Sequence, residues 1–241
     1  MNKILSEIYA AQKKNKAQLA VLIDPDKFNI ELVKLCNKCA VSYFFVGGSK
    51  LHNGNIEKTV SSIKKISKIP VVIFPGDEKQ LSARADAVLF LSLLSGRNAD
   101  YLIGKHVLAA PVIKKKKLEC ISTAYILIKG GKKSVTQKVT KTKPLRSTKE
   151  IVNTAIAGEL LGFKLIYLEA GSGAKTSIPA KVISEVKKSV SIPVLAGGGI
   201  DTKEKASGAI KAGADIIVVG NALEKDVYLI KKLSSLFKSL N

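Results

Sequence analysis

The chain has 241 residues, 46% of them hydrophobic, with a mean hydropathy of +0.15. This is enough apolar material for one substantial core, and it excludes a disordered or fibrous protein. Lysine and arginine number 40 against 19 aspartates and glutamates, a formal net charge of +21, and such a field attracts polyanions: nucleic acid, an anionic membrane surface or a diphosphate substrate. Aromatic residues make up 5% with no Trp, too few for a base-stacking platform, so nucleic acid is not expected as a partner. No stretch stays apolar for the roughly 18 residues that a membrane span needs. Residues 1–15 mix Lys, Glu, Asn and Gln where a signal peptide would have an apolar centre. A cytoplasmic protein is expected, with peripheral contact at an anionic membrane left open by the charge. Cys36, Cys39 and Cys120 are odd in number and irregularly spaced, against a disulfide framework.

Short apolar runs rich in Val, Ile and Phe alternate with longer stretches of helical period, the βα repetition of a parallel sheet covered by helices. A strand over 18–24 is followed by a helix over 31–39, and a strand over 42–48 by a helix over 56–67. After a third strand over 70–74 only residues 76–85 precede the fourth at 87–91, so the third helix is short or replaced by irregular chain. A helix over 101–115, a strand over 122–128, a helix over 149–161, a strand over 165–170 and a helix over 179–190 come next. A strand over 193–196, a helix over 203–212, a strand over 216–220 and a helix over 223–240 complete the chain. Ser147 or Thr148, and Asp201 or Thr202, are candidate helix caps. Eight strands predict one (β/α)8 TIM-barrel domain over 1–241, since such barrels run to about 250 residues, whereas doubly wound sheets more often use about five or six strands. Most excess lysines, such as Lys187 and Lys188 or Lys231 and Lys232, fall on these helices as solvated faces.

Residues 130–148 make a long excursion after the fifth strand, with Lys132, Lys133, Lys138, Lys141, Lys143 and Arg146. It reads either as a mobile solvated loop or as a basic lid over an anionic ligand, because βα loops build the binding face of a barrel.

Three strand ends carry the chemistry. The seventh breaks into Gly197, Gly198 and Gly199, and the eighth ends in Gly220 and Asn221. Glycines let backbone amides approach an anion, and barrels often hold phosphate after strands seven and eight. The sixth ends in Tyr167, Leu168, Glu169, Ala170, Gly171, Ser172 and Gly173. Glu169 near the end of a buried strand needs either a salt-bridging lysine or a task, and Tyr167 shares its parity, so both are expected to point into the barrel. Asp24 closes the first strand in an Asp-Pro-Asp sequence, and Ser49 follows the second. A carboxylate and a hydroxyl there suit Mg²⁺ together with substrate phosphate. Cys36 and Cys39 have half the spacing of a zinc site, but no second pair exists and they lie in a predicted helix. His106 is expected to be structural, while His52 stays open as a functional group.

The motifs Ile-Asp-Pro-Asp-Lys at 23–27, Val-Gly-Gly-Ser at 46–49, Tyr-Leu-Glu-Ala-Gly-Ser-Gly at 167–173, Ala-Gly-Gly-Gly-Ile at 196–200 and Val-Gly-Asn at 219–221 occur in that order. Together they closely resemble the geranylgeranylglyceryl phosphate synthase family, prenyltransferases of archaeal lipid synthesis with bacterial relatives that include heptaprenyl-specific enzymes. The resemblance covers almost the whole chain. It implies transfer of a geranylgeranyl or related polyprenyl group from its diphosphate to the C3 hydroxyl of sn-glycerol 1-phosphate, forming an ether bond. It implies Mg²⁺ at Asp24 and Ser49, glycerol phosphate held by 167–173 with Gly198, Gly199, Gly220 and Asn221, and Glu169 as general base. It also implies irregular chain at the third crossover and a homo-oligomer, dimer or larger. One departure is Leu22, where one subgroup of the family carries Lys; this suggests the other subgroup and removes one phosphate contact. Two rivals remain at this stage: another phosphate-binding barrel isomerase or synthase of amino-acid or thiamine biosynthesis, and a non-catalytic basic barrel that binds anions or membrane.

Overall fold

The computed structural model describes residues 3–131 and 134–240. Eight parallel strands close into a barrel in chain order: β1 (Gln18–Ile23), β2 (Tyr43–Val46), β3 (Val71–Ile73), β4 (Ala87–Leu93), β5 (Glu119–Leu127), β6 (Leu165–Glu169), β7 (Val194–Gly197) and β8 (Ile216–Val219). The seam is β1 on β8, with Gln18 opposite Ile216 and Val21 opposite Val219. Around the barrel lie α1 (Lys3–Lys13), α2 (Ile30–Cys36), α3 (Ile56–Ile66), α4 (Lys105–Lys116), α5 (Val135–Thr140), α6 (Thr148–Leu160), α7 (Ala180–Ser189), α8 (Lys203–Lys211), α9 (Asn221–Lys225) and α10 (Leu229–Leu240).

The strands are continuously apolar because both faces are buried. In β2, Phe44 and Val46 belong to the layer between sheet and helices, whereas Tyr43 and Phe45 belong to the barrel interior. Alternation by two residues thus sorts each strand into two cores. The interior core carries an aromatic column: Phe45 lies 6.3 Å from Phe74 between ring centroids, and Phe74 lies 5.3 Å from Tyr167.

At the amino end of the barrel, α1 acts as a plug, an element absent from the sequence-based expectation. Ile4 and Ile8 join the interior core. The Glu119 carboxylate accepts hydrogen bonds from the Ile4 and Leu5 amides at 2.9 and 2.7 Å, which places negative charge at the helix amino terminus where the aligned peptide dipoles favour it.

The third crossover is irregular, as expected. Asp86 anchors its far end by accepting from the Val71 amide at 2.7 Å and from Lys64. Two helices differ from expectation. The fourth opens with a π turn at Asp100–Gly104 before α4. The last is broken, because the Asp226 carboxylate accepts from the Tyr228 amide at 2.9 Å and turns the chain between α9 and α10. Thr202 caps α8 through the Lys205 amide, while Ser147 stands at the N-cap of α6 without a side-chain hydrogen bond. Among the described residues no helix is long and apolar enough to cross a membrane.

Replacing Glu119 with Ala removes the acceptor that holds the plug. We expect a loss of about 0.5–2 kcal/mol in unfolding free energy, with faster amide exchange across α1 in a hydrogen-exchange measurement; unchanged protection would show that the apolar contacts alone seat the helix.

Candidate active site

The carboxyl ends of the strands open onto a cavity of about 1040 Å³. Its floor is the top of the aromatic column, where Phe74, Tyr125 and Tyr167 meet; Tyr125 and Tyr167 stack with centroids 5.3 Å apart. Just above this floor stands Glu169, the last residue of β6, opposite Leu127 on β5 and Gly197 on β7. It is only 7% exposed.

Of the two readings of Glu169, the salt bridge to a lysine is not formed: among the described residues it pairs with no cation. Its Oε1 accepts from the Gly171 amide at 2.6 Å. Burial pushes its carboxyl up to about 7, and the Gly171 amide opposes that rise. The Tyr167 hydroxyl lies beside this carboxylate near Gly197 and, like the Gly171 amide, opposes the rise in its pKa. Burial first, then the Glu169 charge, holds that phenol well above its ordinary value.

The glycine turn after β7 wraps the carboxylate. Gly198 has φ +81°, and a Cβ there would run into Glu169 Oε1 and come within 2.9 and 3.0 Å of the Gly171 and Ala170 amide nitrogens. Backbone of two neighbouring loops is therefore packed more closely than any side chain allows. On the other flank, Asn221 Oδ1 accepts from the Ser172 hydroxyl at 3.0 Å and the Gly173 amide at 2.9 Å. Its Nδ2 donates to Glu224, which pairs with Lys27 at 2.7 Å. Loops after β1, β6 and β8 are thus locked together around the cavity.

Of the stretch 167–173, Tyr167, Glu169, Ser172 and Gly173 line the cavity, as do Gly198, Gly199, Gly220 and Asn221. Leu168, Ala170 and Gly171 do not. Alternation along the strand turns Leu168 and Ala170 toward the helix layer, and the Gly171 amide is spent on Glu169.

Asp24 and Ser49 also line the cavity. Asp24 Oδ1 accepts from the Asp26 amide at 3.0 Å, and burial is the largest influence in raising its pKa. Asp26 fixes the neighbouring loop by accepting from the amides of His52, Asn53 and Gly54, which holds its own pKa down. The Ser49 hydroxyl is 3.1 Å from that of Thr136. Among the described residues no three His, Cys, Asp or Glu side chains converge as a metal cluster, and Cys36 and Cys39 are free thiols. His52 sits on the cavity rim. His106 is buried, 3.1 Å from the Ser92 hydroxyl and edge-on to Phe90 at 4.4 Å.

A second, apolar cavity of about 110 Å³ opens alongside, between β4, α4 and α5, with Val88, Phe90, Leu93, Ala109, Ile113 and Val139 in its wall. The two share Gly48, Ser49, Phe74, Tyr125 and Thr136. Thr136 was not anticipated from sequence. It lies in the excursion 130–148, which folds into α5 behind a capping box made by Ser134 and Gln137, and the Ser-x-x-Gln spacing is the signal that marks that helix. Lys138, Lys141, Lys143 and Arg146 line neither cavity, and Lys132 and Lys133 lie outside the described residues. The cations of the first cavity are instead Lys27, Lys50, Lys203, Lys225 and Lys232, and Lys105 lines the second. Gln80 was also missed: it accepts from the Gly76 amide and donates to the Gly48 carbonyl, both at 3.0 Å, and so ties the irregular third crossover to the Ser49 loop.

A family model described as the PcrB family matches residues 12–238. A protein of Chitinophaga pinensis named geranylgeranylglyceryl phosphate synthase is 46% identical, covering 97% of this chain and 95% of that protein. A protein of the same name from Thermococcus kodakarensis is 39% identical over 91% of this chain and 89% of its own. Among solved structures, (S)-3-O-geranylgeranylglyceryl phosphate synthase from Thermoplasma acidophilum in complex with its substrate sn-glycerol-1-phosphate superposes with TM-score 0.90 at 30% identity, covering 98% of each chain. The thiamine phosphate pyrophosphorylase of Pyrococcus furiosus, at TM-score 0.60 and 15% identity, shares the fold alone. With a family match across nearly its whole length and relatives at this identity, the chain belongs to the PcrB family.

Proposed function

We propose that the chain is a prenyltransferase that moves a geranylgeranyl or related polyprenyl group from its diphosphate to the C3 hydroxyl of sn-glycerol 1-phosphate. The observation that carries this reading is a buried carboxylate, Glu169, without a cation partner among the described residues, in the wall of a glycine-lined cavity that adjoins an apolar one. A hydroxyl acceptor carrying phosphate suits the first, and a hydrocarbon tail suits the second.

Gly198, Gly199, Gly220 and Asn221 with the 172–173 turn hold the glycerol phosphate, through backbone amides and the Asn221 and Ser172 side chains. The C3 hydroxyl then reaches Glu169. As the allylic C–O bond of the prenyl diphosphate breaks, the hydroxyl oxygen bonds to the allylic carbon, its proton passes to Glu169, and diphosphate leaves. A carboxyl raised to about 7 is matched to that proton transfer near neutral pH. Phe74, Tyr125 and Tyr167 present ring faces to the cationic allylic fragment and keep water from it.

Asp24 and Ser49 fit a Mg²⁺ site of the sparse kind, in which one carboxylate is supplemented by water and substrate phosphate. Asp24 is half-buried, free of any ion pair among the described residues, and beside the loop that carries Ser49. When bound there, Mg²⁺ would neutralise charge developing on the departing diphosphate. The same reading includes delivery of the prenyl donor at an anionic membrane, toward which the +21 charge draws the protein.

Four experiments test this. Incubation with Mg²⁺, sn-glycerol 1-phosphate and prenyl diphosphates of graded length yields the ether product by mass spectrometry; absence at every length sinks the proposal. Glu169→Gln lowers kcat by about 10²–10⁴, and in the parent protein kcat/KM rises with pH through about 7 as the carboxyl loses its proton. A profile flat across that range would remove Glu169 as the base. Asp24→Asn cuts Mg²⁺-stimulated turnover by about a hundredfold or more, whereas a normal Mg²⁺ titration curve would take Asp24 out of the metal site. Gly198→Ala raises KM for glycerol phosphate and, because the new Cβ strikes the Glu169 carboxylate, lowers kcat as well; kinetics equal to the parent's would show that the turn does not form the cradle.

A further inference from the structure

Between Glu119 and Glu150 the sequence holds eight lysines and arginines and no acid. The segment leaves the carboxyl end of β5 and folds as α5 beside both cavities. Lys129, Lys138, Lys141, Lys143, Arg146 and Lys149 are all exposed, and none makes an ion pair among the described residues. Like charges gathered without counter-ions repel one another within the fold. These six line neither cavity, so a substrate bound in either one does not neutralise them.

Apolar side chains come to the surface in the midst of this charge. Val135 and Val139, one helical turn apart on α5, are 45% and 36% exposed. Each also lines a cavity, Val135 the polar one and Val139 the apolar one, and Thr136 lines both. The Tyr101 hydroxyl donates to the Val139 carbonyl at 3.3 Å and ties α5 to the turn ahead of α4, at the edge of the apolar cavity. The wall of that cavity is therefore continuous with an exposed apolar stripe set among unpaired bases. Such a stripe suits the boundary of an anionic bilayer, where apolar tips enter the acyl region and ammonium groups meet lipid phosphates. It suits nucleic acid less well, because bases are met by aromatic or hydrogen-bonding side chains.

We propose that α5 and its flanking bases are the surface by which the chain docks on an anionic lipid bilayer, with Val135 and Val139 seated at the headgroup boundary. The apolar cavity then opens toward the membrane, and a prenyl chain passes between the two without exposing its length to water. The prenyl occupant of the cavity rests on the prenyltransferase reading, whereas the docking is measured without turnover.

Co-sedimentation with vesicles of phosphatidylglycerol and of phosphatidylcholine tests it, with circular dichroism confirming that each variant folds. The parent should bind the phosphatidylglycerol vesicles and not the phosphatidylcholine ones. Lys138→Glu, Lys141→Glu and Lys143→Glu together should weaken that binding by about a hundredfold or more. Lys13→Glu, Lys14→Glu and Lys16→Glu change the net charge equally at the amino end of the barrel, and should weaken it by less than about threefold, since charges beyond a Debye length are screened. Val135→Ser with Val139→Ser keeps every charge and should weaken binding by about threefold or more. The Lys138, Lys141 and Lys143 variant should turn over a short, water-soluble prenyl diphosphate as the parent does, and lose turnover only of a long-chain donor held in phosphatidylglycerol vesicles. A parent that leaves phosphatidylglycerol vesicles unbound, equal losses from the two triple variants, or a valine variant that binds like the parent would overturn the proposal. So would a parent that prefers single-stranded DNA to the vesicles and holds it through the same three lysines. Absence of turnover with every donor would remove the prenyltransferase reading, while the vesicle measurements still decide the docking.

Discussion

The upper half of the barrel is organised around one electrostatic constraint: a buried carboxylate with no cation partner among the described residues. An ionised group in such a place is costly, and the cost is relieved by proton uptake or by hydrogen bonds to its charged form. Glu169 uses both, a raised pKa and the Gly171 amide. To bring that amide within reach, the chain after β6 must fold back tightly, and the neighbouring turn after β7 must close over it with no Cβ at Gly198. The glycine-rich loops are therefore part of the solvation of one side chain as much as they are a cradle for a ligand.

Keeping cations away from Glu169 also separates the two electrostatic tasks. Lys50, Lys203, Lys225 and Lys232 stand around the cavity and raise its positive potential without sharing the buried proton site. A phosphate drawn to that rim meets fixed amides and lysines, while the carboxylate stays free to accept a proton. Had Glu169 formed a salt bridge, its pKa would be depressed and it would be a poor base near neutrality.

The barrel was legible in the sequence because strands buried on both faces stand out as unbroken apolar runs, and Glu169, Gly198 and Asp24 were legible because they sit where those runs stop. What escaped had no local signature. Thr136 matters through a contact with Ser49, 87 residues away, and Gln80 through the Gly48 carbonyl, 32 residues away. Neither pairing leaves a periodicity. The basic segment 130–148 stayed open between two readings for the same reason: charge count shows that a segment is basic but not where its side chains point. Leu168, Ala170 and Gly171 are contiguous with residues that line the cavity but do not line it themselves, because a strand alternates and a motif does not.

The plug formed by α1 bears on how the chain reaches this state. Its first residues find their acceptor, Glu119, more than a hundred positions later, and its apolar partners are spread around the closed barrel. On a ribosome the helix emerges before every strand but has nothing to bind until half the strands exist, and the seam between β1 and β8 closes only when the end of the sheet is out. A segment made before every strand is thus among the last to be placed, and until then its isoleucines remain exposed to water and to other proteins.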